Sequence, residues 1–414
     1  MYPTVLGGSS HPLACLARKS ALDLAENIRA NRVQSQILVL AGSGSLTARN
    51  ILDCSQPASA LLWFLIGAGL AIGAMVAQKP PNMASLLRVG SSNPLLDQIE
   101  RELGPVISPD TRGHDGQIYY LIARDPWAAG KTVAALRDFD TNPPRYRYRR
   151  ILYPLLAGGF GQFPGRTTLV SMILLIAISM GVGTVATADL AFHLKASARA
   201  VLFASLNFGA LIAAMLMTAD LMALGLALAG VALAVRERTR WAVAAFALAG
   251  LTKELYLVVP LSIAAWHFVE ARRAQAALFA IVPVLPVTLW GVGVSMMVPA
   301  LPMTVAPFGF PMAGILSSIP QWVDRNPVEQ LIGGFVLASF VMAVAMVALG
   351  RTSILRWVLA PWLILGGLST EVAVWDVPSN VARQFAILWP VGILLINERL
   401  GKAPDSYDRR GASI

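Results

Sequence analysis

The chain has 414 residues, 56% of them hydrophobic and only 14% charged, with 33 Lys and Arg against 23 Asp and Glu for a formal net charge of +10. With a mean hydropathy of +0.62, it is too apolar for an ordinary soluble domain. The positive charge does not imply nucleic-acid binding, because much of it falls in short turns between apolar stretches, where Lys and Arg orient helices.

Residues 1–57 read as a loosely ordered cytoplasmic arm or as an over-long start. They lack the basic start and closely following apolar core of a signal peptide. The stretch ILVLAGSGSLT (37–47) imitates a strand and glycine loop, but has neither the third glycine of a dinucleotide site nor the Lys-Ser/Thr of a P-loop. Cys15 and Cys54 both precede the first apolar run, which gives no disulfide framework and reads as free cytoplasmic thiols.

From residue 58 the sequence predicts an all-α, polytopic helical membrane protein. Ten apolar stretches are assigned as spans, at 60–77, 167–187, 199–218, 220–235, 241–252, 255–269, 276–298, 331–349, 355–370 and 384–397. The basic turns RERTR (236–240), EARR (270–273) and GRTSILR (350–356) fall on one side of the alternation, which the positive-inside rule makes cytoplasmic. Both termini, including the tail 398–414, are then inside, and the long loop 78–166 is outside. That loop holds 12 of the 33 Lys and Arg, which long loops tolerate without breaking the rule.

Two segments of the loop carry chemistry. In TRGHDGQIYYLIARDPW (111–127), Gly113 and Gly116 flank His114 and Asp115, and Ile118, Leu121 and Ile122 then recur at helical spacing up to Pro126. An amphipathic helix along the outer membrane face is predicted, with Asp115 at its N-terminal end, ionised and favoured by the helix dipole. A bare capping role for Asp115 is the alternative. Asp110, Asp125, Asp138 and Asp140 are further loop acids, with Asp125 before Pro126 reading as a helix stop. RYRYRR (145–150) supplies forked donors and flat rings at one place, suited either to a phosphorylated ligand or to anionic headgroups, the latter worth ~1 kcal/mol per basic residue. RILYPLLAGGFGQF (150–163) is too short to cross and is expected at the interface.

LTKEL (251–255) reads as a hairpin tip that carries Lys253 and Glu254 near the outer leaflet, paired with each other or serving the site. His114 has no second His, Cys or carboxylate at ligand spacing, so no metal site is indicated. No G-x-S-x-G or other partnered nucleophile is present, which excludes an ordinary hydrolase. One carboxylate, several Arg and a membrane cavity suit glycosyl transfer from a lipid phosphate: the carboxylate takes the acceptor proton and the cations hold the departing phosphate.

The order of these features resembles the GT-C superfamily of membrane glycosyltransferases that use polyprenyl-phosphate sugars, and within it the bacterial mannosyltransferase-like group. HDGQIYY (114–120), PRYRYRRILYPLLA (144–157), LTKELYLVVPL (251–261) and SNVARQFAILWP (379–390) carry the resemblance, across most of 58–397. It implies an inner-membrane enzyme facing the periplasm, with a polyprenyl-phosphate sugar as donor and a hydroxyl of a glycan, lipid or protein as acceptor. Asp115 is then the general base. Arg145, Arg147, Arg149, Arg150, Lys253 and Arg383 are donor-phosphate ligands, and His114, Gln117, Tyr119, Tyr120 and Glu254 support them. Tyr119, Tyr120, Tyr146 and Tyr148 are possible walls for sugar or isoprenoid. No cofactor is implied beyond the donor, and a divalent cation stays open. Many members carry a soluble domain after the membrane part; here acceptor recognition is left to loops such as 299–330. Three rivals stand: a transporter or flippase of lipid-linked sugars, which would want internal repeats and charge deep in the spans; a polymerase or ligase acting on lipid-pyrophosphate glycans; and an assembly protein.

Overall fold

A computed structural model describes residues 53–106, 112–140, 142–301, 308–349, 353–370 and 374–401. The expected cytoplasmic arm up to residue 52, with Cys15 and the 37–47 stretch, lies outside them, as do Asp110 and the tail from residue 402. The described residues are helical, with two isolated bridges, Val89 to Gly113 and Phe308 to Ser369, as their only β pairing.

Four apolar helices have the length to cross a membrane: α1 (Pro57–Ala77), then, beyond the loop, α7 (Gly165–His193), the run Arg273–Met297 formed by α13 (Arg273–Ile281) and α14 (Val284–Met297), and, after the short α15 (Ala313–Trp322), α16 (Pro327–Leu349). Two bent pairs bring the total to six, namely α8 (Ala198–Ser205) with α9 (Phe208–Met215) at 43°, and α18 (Pro378–Gln384) with α19 (Leu388–Gly401) at 64°. The structure therefore supports a helical membrane protein, with four to six spans by length where ten were expected. The remaining stretches form short apolar helices: α10 (Ala219–Val235), α11 (Thr239–Thr252), α12 (Val258–Val269) and α17 (Ile354–Leu368). At 17 residues α10 is about 25 Å long, short of a hydrocarbon core of about 30 Å.

The breaks have local causes. The stretch expected as one span at 199–218 stops at Leu206 because Asn207 caps a new helix, its Oδ1 accepting from Ala210 N. Lys253 is extended (φ −158°, ψ 113°) between α11 and a 3₁₀ turn, Glu254–Leu257, so the predicted tip at LTKEL is a true break. Pro57, Pro327 and Pro378 each open a helix, where the missing N–H costs nothing.

α7 is central, with α1 and α10 packed on it. Small residues make the crossings: Gly67 of α1 lies against Thr184 and the Met180 carbonyl, and Gly225 of α10 against the Ser179 carbonyl. Such positions let backbones approach where lipid supplies no hydrophobic drive between helices. Leu61, Leu65 and Val76 of α1 and Leu289 and Met296 of α14 remain exposed, a surface suited to lipid.

The two broken pairs meet at their breaks. Asn207 Nδ2 donates to the Ala386 carbonyl at 2.7 Å, and Gly209 lies directly against the Ala382 carbonyl. Gly209→Val should force α9 away from α18 at an overpacking cost of about 1–3 kcal/mol. The check is a lower thermal unfolding midpoint in detergent; an unchanged midpoint would mean that this contact does not constrain α18.

The loop between α1 and α7 is built from short helices: α2 (Leu96–Leu103), α3 (Asp115–Arg124), α4 (Thr132–Phe139), α5 (Pro144–Tyr148) and α6 (Leu152–Ala157). α3 starts at Asp115 and ends before Pro126, as its sequence predicts. It is not packed on one apolar face alone, however: every residue from Gly116 to Ala123 is buried within the protein. Ile118 and Ile122 pack on Leu136, Tyr148 and Ile151 and on Val294 and Val298 at the end of α14. The other side is closed by Tyr120, whose hydroxyl donates to Glu102 of α2, and by Tyr119, edge-on to Tyr153 at 5.6 Å. α6 is short and ends in a turn at Gly159 (φ +53°), with Leu156, Phe160 and Phe163 exposed, in keeping with an interfacial position.

Candidate functional site

Asp115 is the first residue of α3, and the chain enters it through Gly113 (φ +71°), a conformation open to glycine at little cost. A Cβ at Gly113 would meet the Arg88 carbonyl and the Gln117 amide, so that turn is packed as well as bent. Gln117 locks it. Its Oε1 accepts from Gly90 N at 3.1 Å and Asn93 Nδ2 at 2.7 Å, while its Nε2 donates to the Arg112 carbonyl at 2.7 Å. Gln117→Ala leaves two buried donors without an acceptor, about 1–3 kcal/mol each. A fall in the thermal midpoint together with lower activity is the expected result, and a variant as stable as wild type would remove Gln117 from this role.

The Asp115 side chain does not cap its helix; it goes to two arginines. Its Oδ1 accepts from Arg147 Nη1 at 3.1 Å and its Oδ2 from Arg383 Nη1 at 2.5 Å, joining residues 268 apart in sequence. Arg147 turns its other edge on Asp140, Nε to Oδ2 at 2.6 Å and Nη2 to Oδ1 at 3.1 Å, a bidentate fork. Arg383 is braced by Asn380 Oδ1 at 3.2 and 3.1 Å, and its Nη1 also lies 3.5 Å from Asp220 Oδ2. The other oxygen of Asp220 holds Lys253 Nζ, which donates in turn to Gln384 Oε1. Beside this chain Arg150 forks onto Glu254 at 3.2 and 3.3 Å and covers the Tyr146 ring at 4.2 Å, also donating to its hydroxyl.

Three parts of the fold thus converge: the loop helices, the start of α10 with the break at Lys253, and the end of α18. The network holds four carboxylates, Asp115, Asp140, Asp220 and Glu254, and four cations, Arg147, Arg150, Lys253 and Arg383, so its charges balance. Balance is what makes such burial tolerable. Burial pushes the Asp115 carboxyl up, but Arg383 and Arg147 outweigh it and hold it well below the usual carboxylate range. Burial likewise raises the Tyr119 phenol, which stays neutral beside Arg150 and Asp115.

Of the sequence-predicted residues, Asp115, Arg147, Lys253 and Arg383 stand in one chain of contacts, with Arg150 and Glu254 alongside. Tyr119 lies beside Arg150 and Asp115 and Tyr146 beneath Arg150, while the rest lie elsewhere. Arg145 donates to the Val298 and Ser295 carbonyls at the end of α14, and Arg149 is exposed. Arg145 and Arg149, four apart, lie two residues either side of Arg147, and a helix cannot aim such alternate side chains at one point. Tyr120 serves the Glu102 contact, Tyr148 donates to the Asp125 carbonyl, and Gln117 and His114 belong to the entry of α3. Lys253 and Glu254 do not pair with each other; adjacent residues at an extended break point apart, and each finds its own counter-charge.

Asp220, the first residue of the stretch assigned as the span 220–235, was not among the sequence-predicted site residues. A lone acid in MTADLMAL, at the head of an apolar run, was the available signal. Asn380 and Gln384 lie in the SNVARQFAILWP segment, where only Arg383 was read as a site residue. Among the described residues no three His, Cys, Asp or Glu side chains gather as a metal-ligand set. No family model, curated protein or solved structure matches the chain.

Proposed function

We propose that the chain is an integral-membrane glycosyltransferase of about ten spans, lying in the bacterial inner membrane with its site facing the periplasm. It moves a sugar, with inversion, from a polyprenyl-phosphate donor to a hydroxyl of a surface glycan, lipid or protein. The supporting observation is the Asp115 carboxylate held between Arg147 and Arg383 in a buried network that also contains Lys253. A carboxylate beside cations is what this reaction requires: the acceptor proton passes to Asp115, the acceptor oxygen bonds to the anomeric carbon, and the bond to phosphate breaks with its electron pair going to the phosphate oxygen. The cations stabilise the charge that grows there.

The resting contacts add a consequence. With two guanidiniums on it, Asp115 is a weak base. A donor phosphate that takes over Arg383 would free the carboxylate and raise its basicity only once substrate is bound. The reading is tested with membranes containing the protein and a panel of radiolabelled polyprenyl-phosphate sugars. One donor consumed by wild type and not by Asp115→Asn supports it; equal turnover by the variant would remove Asp115 as base.

A second reading, a transporter of lipid-linked sugars, draws on the two broken pairs joined through Asn207 and Ala386, since discontinuous helices commonly build transport sites. Proteoliposomes separate the two. A labelled lipid-linked sugar that reaches the opposite leaflet with no new glycan favours transport.

A further inference from the structure

Two carboxylates share Arg383, and they are held differently. Asp220 stands in the first turn of α10 with its side chain 5% exposed, one oxygen toward Arg383 and the other on Lys253, which is 1% exposed. Lys253 also donates to Gln384, the residue after Arg383, so Asp220 ties both cations to one point at the end of α18. An ammonium so buried keeps its proton only beside a counter-charge. Asp115 is the closer partner of Arg383, at 2.5 Å against 3.5 Å for Asp220, but the more accessible one: its side chain is 17% exposed, and it begins a short helix at a glycine turn. Arg147 has Asp140, and Arg383 has Asp220 and Asn380, should Asp115 withdraw.

We infer that Asp220 is a positioning residue for an anion site: it is the fixed counter-charge that sets Lys253 and Arg383 side by side as a clamp for the donor phosphate, while Asp115 is the exchangeable carboxylate that the phosphate displaces. The inference rests on the glycosyl-phosphate reading and assigns the two acids opposite effects on the same ligand. An anion entering the clamp competes with Asp115 for Arg383, so removal of the Asp115 charge favours it. Removal of the Asp220 charge strips Lys253 of the partner that keeps it charged and frees Arg383 to turn away.

The test is binding of polyprenyl phosphate, which carries the phosphate without the sugar, to the purified full chain in detergent. Asp115→Asn should bind at least as tightly as wild type. Asp220→Asn should bind more weakly by about tenfold or more, and Asp220→Glu, which restores the charge, should recover most of the loss. A general structural role for both acids would weaken both Asn variants alike, and that outcome overturns the inference. So does wild-type affinity in Asp220→Asn, and both of these results leave the transferase reading standing. Wild-type protein that binds no polyprenyl phosphate overturns the transferase reading and the inference with it. If Asp220→Asn does not accumulate, the paired Asp220→Asn, Lys253→Met variant leaves no charge unpaired between them; loss of binding is expected there, and wild-type affinity again overturns the assignment.

Discussion

If the proposed glycosyl transfer holds, Asp115→Asn should leave the folded protein and its donor affinity in place while lowering turnover by about 10²–10⁴-fold, the usual worth of a general base. The fold survives because each arginine keeps another partner: Arg147 its fork on Asp140, Arg383 its contacts with Asp220 and Asn380. Asparagine fills the same volume and still accepts through one oxygen, so the step lost is the proton transfer. Single-turnover assays with saturating donor isolate that step, and an undiminished rate would return Asp115 to a structural role.

The same carboxylate sets a pH signature whose sign is fixed by its depressed folded-state pKa. A group of that kind stabilises the fold fully above its unfolded value, about 3.9, and the contribution is lost as pH falls toward the folded value. Wild type and Asp115→Asn should therefore differ by a constant amount in thermal midpoint above about pH 5. The gap should close below about pH 4, where the wild-type unfolded state takes up the proton first. A gap that instead closed between pH 6 and 8 would contradict the two guanidinium contacts.

What could be read from the sequence divides along physical lines. The helical membrane class follows from composition, and the start of α3 at Asp115 follows from the glycines and the Ile118, Leu121 and Ile122 spacing, all local signals. That Asp115, Arg147, Lys253 and Arg383 belong together was an implication of the resemblance alone, and the structure brings their side chains into one chain of contacts. The pairings were not implied by it. Lys253 beside Glu254 in sequence suggests a local ion pair, yet the break at Lys253 sends one side chain to Asp220 and the other to Arg150. RYRYRR looks uniform, but a five-residue helix gives Arg145, Arg147 and Arg149 three different surroundings. The burial of α3 on both faces was also hidden: an apolar stripe announces one packed face, whereas Tyr119 and Tyr120 close the second through Tyr153 and Glu102, which no local pattern connects to them.

Arg147→Ala should be the most destabilising single change in the network. Arg147 is the one cation that forks onto one acid and also holds another, and removing it strands Asp140, 4% exposed, together with half of the Asp115 contact. Breaking a buried pair by deleting one member costs about 3–5 kcal/mol, because the remaining charge stays buried without compensation. Arg147→Lys keeps the charge but is a single point on a flexible stem. It cannot span Asp140 and Asp115 together, so it should fold better than the alanine variant and still lose activity. Adding Asp140→Asn to Arg147→Ala removes the stranded charge and should restore part of the loss. In a double-mutant cycle of unfolding free energies the two sites should couple by about 0.5–3 kcal/mol. Simple additivity would mean that Asp140 finds water or another cation when Arg147 is gone. Coupling would mean that the acids and bases around Asp115 are held as a charge-balanced set, in which a complete pair is dispensed with more cheaply than either of its members.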